Sequence, residues 1–258
     1  MDKTTIILVV INQKGGVGKT TTTLNLSHAL SQRGKKILLI DSDPQGHLGN
    51  CLGLNEHNGQ GLDEVLLHGV GIEQLTKNIR PDMDILISGC GLGEMESKTD
   101  NSGATRGYRL HDALAFVKND GIYDYIIVDC PPAAGLLAMN AILAADQMLI
   151  PVTGDYLALQ GLSRLIQVLS HIEKRLEKST KKWFVLTRFH ERRKLAKEIR
   201  SKMINYFPAQ VLKTSIRENV SLAESPGFGQ TIFEYQPKSN GSKDYWQLAD
   251  DFLQRRTF

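Results

Sequence analysis

A chain of 258 residues, 41% hydrophobic and 23% charged with a net charge of +3, has the make-up of an ordinary soluble protein with enough length for one well-buried core. No stretch approaches the roughly 18 consecutive apolar residues of a membrane span, and the first residues show no charged-then-apolar leader, so a cytoplasmic location is expected. The three cysteines, Cys51, Cys90 and Cys130, are too scattered for a disulfide framework or a zinc pattern and read as packing residues.

Ile6 to Ile11 is an unbroken apolar run, predicted to be a buried strand, and Thr21 to Leu30 reads as a helix. Between them stands Lys14-Gly15-Gly16-Val17-Gly18-Lys19-Thr20. The strict phosphate-loop pattern asks for glycine at position 13, where this chain has Gln13, so the loop is a variant with a second lysine at its start. Gly15, Gly16 and Gly18 can adopt the backbone that turns successive N–H groups toward phosphate oxygens, and the helix N-terminus that follows favours the same anion. In this pattern Lys19 reaches the β- and γ-phosphates and the Thr20 hydroxyl binds magnesium, with Val17 and Thr21 completing the nucleotide-binding loop. A chance glycine-rich turn would also have to fall by accident between a strand and a helix.

After Gly34 the run Ile37-Leu38-Leu39-Ile40 gives a second strand, ending in Asp41-Ser42-Asp43-Pro44-Gln45-Gly46. Ile85 to Ile87 is a third apolar segment, ahead of a glycine-rich polar stretch from Ser88 to Gly107. Tyr125 to Val128 forms a further strand closed by Asp129-Cys130-Pro131-Pro132, and Gln147 to Val152 and Trp183 to Leu186 supply two more. Strands alternating with helices predict an α/β fold: one doubly wound, mostly parallel sheet with helices on both faces, in a single P-loop domain over residues 1–258. Functional loops then belong at the carboxyl ends of the strands. Asp129, at such an end, is the candidate Walker B carboxylate that holds magnesium opposite Thr20. Asp41 and Asp43 leave another strand end together, and two carboxylates beside one cation need different tasks; spacing alone does not assign them.

Between Lys174 and Lys202 twelve lysines and arginines stand against three glutamates, a local excess of +9 in a chain of +3. Arg188, Arg192, Arg193, Lys194, Lys197, Arg200 and Lys202 are predicted to gather around the start of one helix, with Arg217 joining from a later loop. Such a surface holds a phosphate backbone without reading bases, with an affinity that falls steeply with salt. The bland reading is the solvated face of a helix.

Several segments resemble, in order and over nearly the whole chain, the deviant Walker A ATPases that include ParA, Soj, MinD and the nitrogenase iron protein. They are the two-lysine loop, the Asp-x-Asp-Pro-Gln segment at 41–45, Asp129 to Leu137, Pro151 to Gly161 and Ile216 to Pro226. The resemblance implies hydrolysis of ATP with Mg2+, slow until a partner stimulates it. It implies that Lys14 crosses a dimer interface to the partner's nucleotide, an arrangement that couples hydrolysis to dimerisation. It makes 41–45 switch I, with Asp43 positioning the attacking water and Asp41 near the magnesium shell, and 129–137 switch II. Lys14, Lys19 and Asp43 are the catalytic candidates; Thr20, Asp41 and Asp129 are the metal-site candidates.

Agreement in the late segments points to the ParA/Soj branch. That branch implies an ATP-dependent homodimer, nonspecific DNA binding on the nucleoid, and a ParB-like or other cargo adaptor. Larger relatives carry an N-terminal DNA-reading domain, for which the early phosphate loop leaves no room, so sequence-specific autorepression is not expected. The alternative is a MinD-like positioning ATPase on a membrane or protein scaffold. Those relatives end in a basic amphipathic targeting helix, whereas Tyr245 to Arg256 carries Asp250 and Asp251 in its middle and reads as a docked helix. An ATPase akin to the nitrogenase iron protein would need paired interface cysteines, and a kinase would need an acceptor site; neither is legible. Thr187-Arg188 and the loop near Pro226 are adenine candidates by resemblance.

Overall fold

Ile7, Val9 and Ile11 pack into one hydrophobic cluster and Leu8 and Val10 into another, so a single strand feeds cores on both faces of a sheet. That double burial is why its sequence shows no polar alternation. The structure, a computed structural model, describes residues 4–54, 59–97, 103–132 and 135–258. In chain order the elements are β1 (Ile6–Val10), α1 (Lys19–Ser31), β2 (Ile37–Asp41), α2 (His47–Asn50), α3 (Leu62–His68), α4 (Ile72–Leu75), β3 (Lys77–Arg80), β4 (Met83–Leu86), α5 (Glu94–Ser97), α6 (Arg109–Asn119), β5 (Tyr125–Asp129), α7 (Leu136–Ala144), β6 (Gln147–Thr153), α8 (Tyr156–Leu176), β7 (Lys181–Thr187), α9 (Lys194–Tyr206), α10 (Val220–Glu224), α11 (Ile232–Tyr235) and α12 (Asn240–Gln254). They build a seven-stranded sheet in the order β3-β4-β2-β5-β1-β6-β7. Every pairing is parallel except β3 with β4.

The α/β expectation is met, and the strand assignments from sequence fall within a few residues of the observed ends. The phosphate-loop helix begins at Lys19 and not Thr21, its first turn closed by the Thr22 N–H donating to the Gly18 carbonyl at 2.9 Å. One strand was not foreseen. Lys77-Asn78-Ile79-Arg80 has a single apolar residue, and it is tolerated as an antiparallel edge because only one side needs pairing. Arg80 anchors it with a two-pronged bond to Glu234 of α11, at 2.7 Å for each oxygen.

Register places the chemistry. Val10 pairs with Asp129 across β1 and β5, and Asp41 pairs with Asp129 across β2 and β5. The helix after β1 puts Leu24, Leu26 and Leu30 on one face, while the helix after β5 puts Leu137 and Ala141 on the other. Neighbouring strands whose connections leave in opposite directions open a crevice at their carboxyl ends.

The terminal helix is docked. α12 buries Tyr245, Leu248, Ala249 and Phe252 in the core shared with α1 and the sheet, with the Tyr245 hydroxyl 3.1 Å from that of Thr22 and the Phe252 ring against Tyr125 and Trp183. Arg33 bonds Asp250 at 2.8 Å and lies 3.9 Å over the Trp246 ring. Among the described residues no helix is long and apolar enough to cross a membrane.

Candidate functional site

The loop between β1 and α1 is shaped by two glycines. Gly16 and Gly18 have φ of 70° and 86°, and Gly18 serves as the N-cap of α1 with no side-chain cap of its own. A side chain at either position would be strained, and the N–H groups left uncapped at the helix start are donors for an anion. Val17 is fully buried, and the Thr187 hydroxyl at the end of β7 donates to its carbonyl at 2.8 Å, pinning the loop from below. Thr187, an adenine candidate from sequence, is thereby committed to the loop backbone.

Lys19 is buried, and its ammonium donates to the Lys14 carbonyl at 3.4 Å. Burial lowers its pKa, against the pull of the Asp129, Cys130 and Asp43 charges. Thr20 donates to Asp129 at 2.6 Å, and the Thr23 hydroxyl lies 3.0 Å from the other carboxylate oxygen. Burial pushes Asp129 up to about 6 in spite of those two bonds and of Lys19. Asp41 is also fully buried and is pushed up to about 8, first by burial and then by the charge of Asp129. Its oxygens accept from the Asp43, Leu48 and Gly49 N–H groups at 3.1, 2.9 and 3.2 Å. Asp41 therefore braces the turn into α2, while Asp43 stands beside it, 7% exposed and accepting from the Gln45 N–H.

Asp129 at the Thr20 hydroxyl, with Asp41 in register on the neighbouring strand, makes a hard-oxygen corner that favours a cation. Among the described residues no cluster of three or more protein ligands forms a ready-made metal cage. That fits magnesium, which takes one or two protein oxygens and completes its shell with phosphate and water. Thr20 and Asp129 form a hydroxyl–carboxylate pair at this corner, and Asp41 stands in the same register on the adjacent strand β2.

Lys14 has a different environment. Its N–H donates to Asn12, whose side chain is tied to the Pro151 carbonyl, and its ammonium sits 2.7 Å from both oxygens of Asp155. Asp155 also accepts from the Thr153 hydroxyl at 2.5 Å and caps α8 through the Ala158 N–H. Against the burial that would raise it, these bonds hold the Asp155 carboxyl below its usual range. Asp155 was not among the sequence candidates, although an aspartate just before a helical run is an N-cap signal. Thr21 follows in the first turn of α1. Ala133 and Ala134 of the switch II segment lie outside the described residues.

The basic candidates divide. Arg192, Arg193, Lys194 and Lys197 are exposed around the start of α9 and make no ion pair among the described residues. Arg188, in the left-handed region at φ 49°, pairs with Glu218 at 3.3 Å. The Arg217 loop does join the end of β7, through a bridge with Phe189, but its guanidinium is forked onto Asp244 at 2.6 and 3.0 Å. Arg200 lies 5.1 Å over the Phe189 ring.

An AAA domain family matches residues 4–182. The chromosome partitioning protein ParA of Myxococcus xanthus is 37% identical over 97% of this chain and 89% of its own. The sporulation initiation inhibitor protein Soj of Bacillus subtilis is 37% identical over 95% of this chain and 97% of its own. The chain belongs to the ParA/Soj family of partitioning ATPases. Among solved structures, the cobyrinic acid a,c-diamide synthase of Mycobacterium smegmatis with a bound ATP analogue and magnesium superposes with a TM-score of 0.82. It is 28% identical and covers 98% of this chain and 99% of its own. Two-lysine loop, paired strand-end carboxylates and late segments thus stand in a fold that holds nucleotide in a relative.

Proposed function

We propose that this chain is an ATP-controlled dimer switch, folded as one P-loop domain, that binds DNA nonspecifically and moves or spaces a cargo. The observation that carries this reading is the placement of Thr20 and Asp129 at 2.6 Å from each other, below a glycine loop with a lysine at each end. Gly15, Gly16, Val17 and Gly18 present N–H groups to the phosphates, Lys19 reaches between them, and Thr20 and Thr21 close the helix N-terminus over them. Magnesium at Thr20 and Asp129 supplies the positive charge that offsets the phosphate oxygens. Asp43 orients the attacking water. Lys14 leaves Asp155 and crosses to the phosphates of the second subunit, so that each active site is complete only in the dimer.

Turnover without a partner is then slow, on the order of the 10⁻⁴ per second of phosphate-loop enzymes that lack a stabilising cation. A cargo-bound, ParB-like adaptor accelerates it. The M. xanthus relative is a chromosome partitioning protein, which supports a chromosome as cargo; the same cycle, run on the nucleoid in the cytoplasm, serves a plasmid or protein complex equally.

The DNA surface is the start of α9. Arg192, Arg193 and Lys194 crowd the positive end of a helix dipole, an arrangement unfavourable for the isolated helix and relieved by an anion. Two such patches in a dimer bind one duplex with avidity, so ATP controls DNA residence. Lys197 extends the patch, while Arg188, Arg200 and Arg217 support its edge from their own partners. The docked α12 favours this reading over a membrane-targeting one. An electrophoretic shift with random-sequence duplex tests it. Binding that needs ATP and magnesium, and that is lost in Lys14→Ala, supports the switch; equal binding with and without nucleotide rejects it.

A further inference from the structure

Phe116 is 77% exposed, more than any other large apolar side chain among the described residues, and Ile122 just beyond it is 53% exposed. Neither is explained by the nucleotide crevice. α6 ends at Asn119 and the chain turns directly into β5 at Tyr125, so this end of α6 lies at the amino edge of the sheet, opposite the phosphate loop.

Beside Phe116 runs a groove of about 740 Å³ between α6 and the α3–α4 corner. Its floor is apolar: Val65 and Ile72 from one wall and Val117 from the other are 6%, 3% and 9% exposed. Its rim is acidic. Glu73, Asp112 and Asp120 line it against a single cation, Arg109, whose guanidinium donates to the Leu66 carbonyl at 3.0 Å. Asp112 has His111 at 3.0 Å, whereas Glu73 and Asp120 make no ion pair among the described residues. A chain of net +3 with a strongly basic helix elsewhere thus concentrates negative charge around the most exposed aromatic among its described residues.

We infer that this groove is a docking surface for a cationic amphipathic helix of a partner protein. An apolar stripe on that helix packs over Phe116 and into the floor, while lysines or arginines flanking the stripe meet Glu73, Asp112 and Asp120. Exposed aromatics in the centre of a contact carry much of its energy, and opposite charge at the rim selects the partner and speeds encounter. The helix-in-groove mode suits a cleft walled by helices. Docking at the pole away from the phosphates leaves the nucleotide site and the α9 patch free, so the partner can be held through the whole ATPase cycle. A second copy of this chain is a poorer occupant, because its own basic helix, α9, is anchored in the core by Ala196, Ile199 and Met203.

The test is fluorescence anisotropy of the nucleotide-free full chain with a labelled synthetic peptide of about 18 residues, built of leucines along one helical face and lysines elsewhere. A second peptide has glutamate in place of lysine. The lysine peptide binds at least ~10-fold more tightly than the glutamate one. Phe116→Ala weakens it ~10-fold, and Glu73→Lys with Asp120→Lys removes or reverses the preference. Arg192→Ala with Arg193→Ala leaves it unchanged. Equal affinity for both peptides, or undiminished binding by Phe116→Ala, overturns the inference; so does self-association that Phe116→Ala abolishes, since that gives the groove to a second copy. Because no nucleotide is present, the result stands apart from the dimer-switch reading.

Discussion

The ammonium of Lys14 and the carboxylate of Asp155 lie 2.7 Å apart within one chain, and both oxygens of Asp155 are engaged. The lysine that the proposed dimer lends to the partner subunit is thus held at home, on the N-cap of α8. In the proposed switch, dimerisation exchanges this ion pair for phosphate. The pair is about half exposed, with side-chain accessibilities of 32% and 46%, so it is a restraint and not a lock.

Asp155→Asn keeps an oxygen to cap α8 but removes the charge that holds Lys14. Exposed pairs are worth about 0.2–1 kcal/mol and two are released per dimer, so the ATP-dependent dimer should tighten by about two- to thirtyfold. Sedimentation velocity over a dilution series measures this. A dimer weakened tenfold instead would mean that Asp155 supports the assembled interface.

The basic residues should separate by their partners. Arg192→Ala with Arg193→Ala leaves folding intact, weakens DNA binding and lowers the slope of log affinity against log salt by about 4 for the dimer, one release of counterions per lost contact on each of its two patches. Arg217→Ala acts on stability, because it strands Asp244, which is 4% exposed in its side chain. With Arg217 itself partly in solvent, the cost is about 1–2 kcal/mol and appears as a lower melting temperature. An unshifted melt with lost DNA binding would return Arg217 to the interface.

The buried carboxylates give a pH signature when magnesium is withheld. Burial raises Asp129 to about 6 and Asp41 to about 8, so the native state keeps protons that the unfolded chain releases from about pH 4. A native state that binds more protons loses stability as pH rises, here from about 4 to about 8. With EDTA the melting temperature should fall across that window, and Asp129→Asn should flatten the part up to about 6. Magnesium with a nonhydrolysable ATP analogue should restore stability to the wild type. Identical pH profiles for wild type and Asp129→Asn would remove Asp129 from this role.

What the sequence disclosed follows from how local each signal is. The glycine loop is a short-range conformational demand, and the doubly buried strands announce themselves as apolar runs, so the nucleotide crevice was legible from Ile6 to Thr21 and again at Asp129. The edge strand Lys77–Arg80 was hidden, because its stability comes from β4 and from Glu234, far away in sequence. The bracing work of Asp41 was hidden for a related reason: its donors are backbone N–H groups of a turn, which no side-chain pattern encodes. Composition located the basic segment but could not tell that Arg217 and Arg188 have carboxylate partners while the start of α9 has none among the described residues.

The central claim is that two chains close around two nucleotides, each lending Lys14 to the other. Asp43→Ala, which should bind ATP and magnesium without hydrolysing it, is the form in which to measure it by sedimentation equilibrium, alone and combined with Lys14→Ala. The account predicts an ATP-dependent dimer for Asp43→Ala and a monomer for the double variant, with nucleotide bound in both. A monomer in the first case, or a dimer of unchanged affinity in the second, contradicts it.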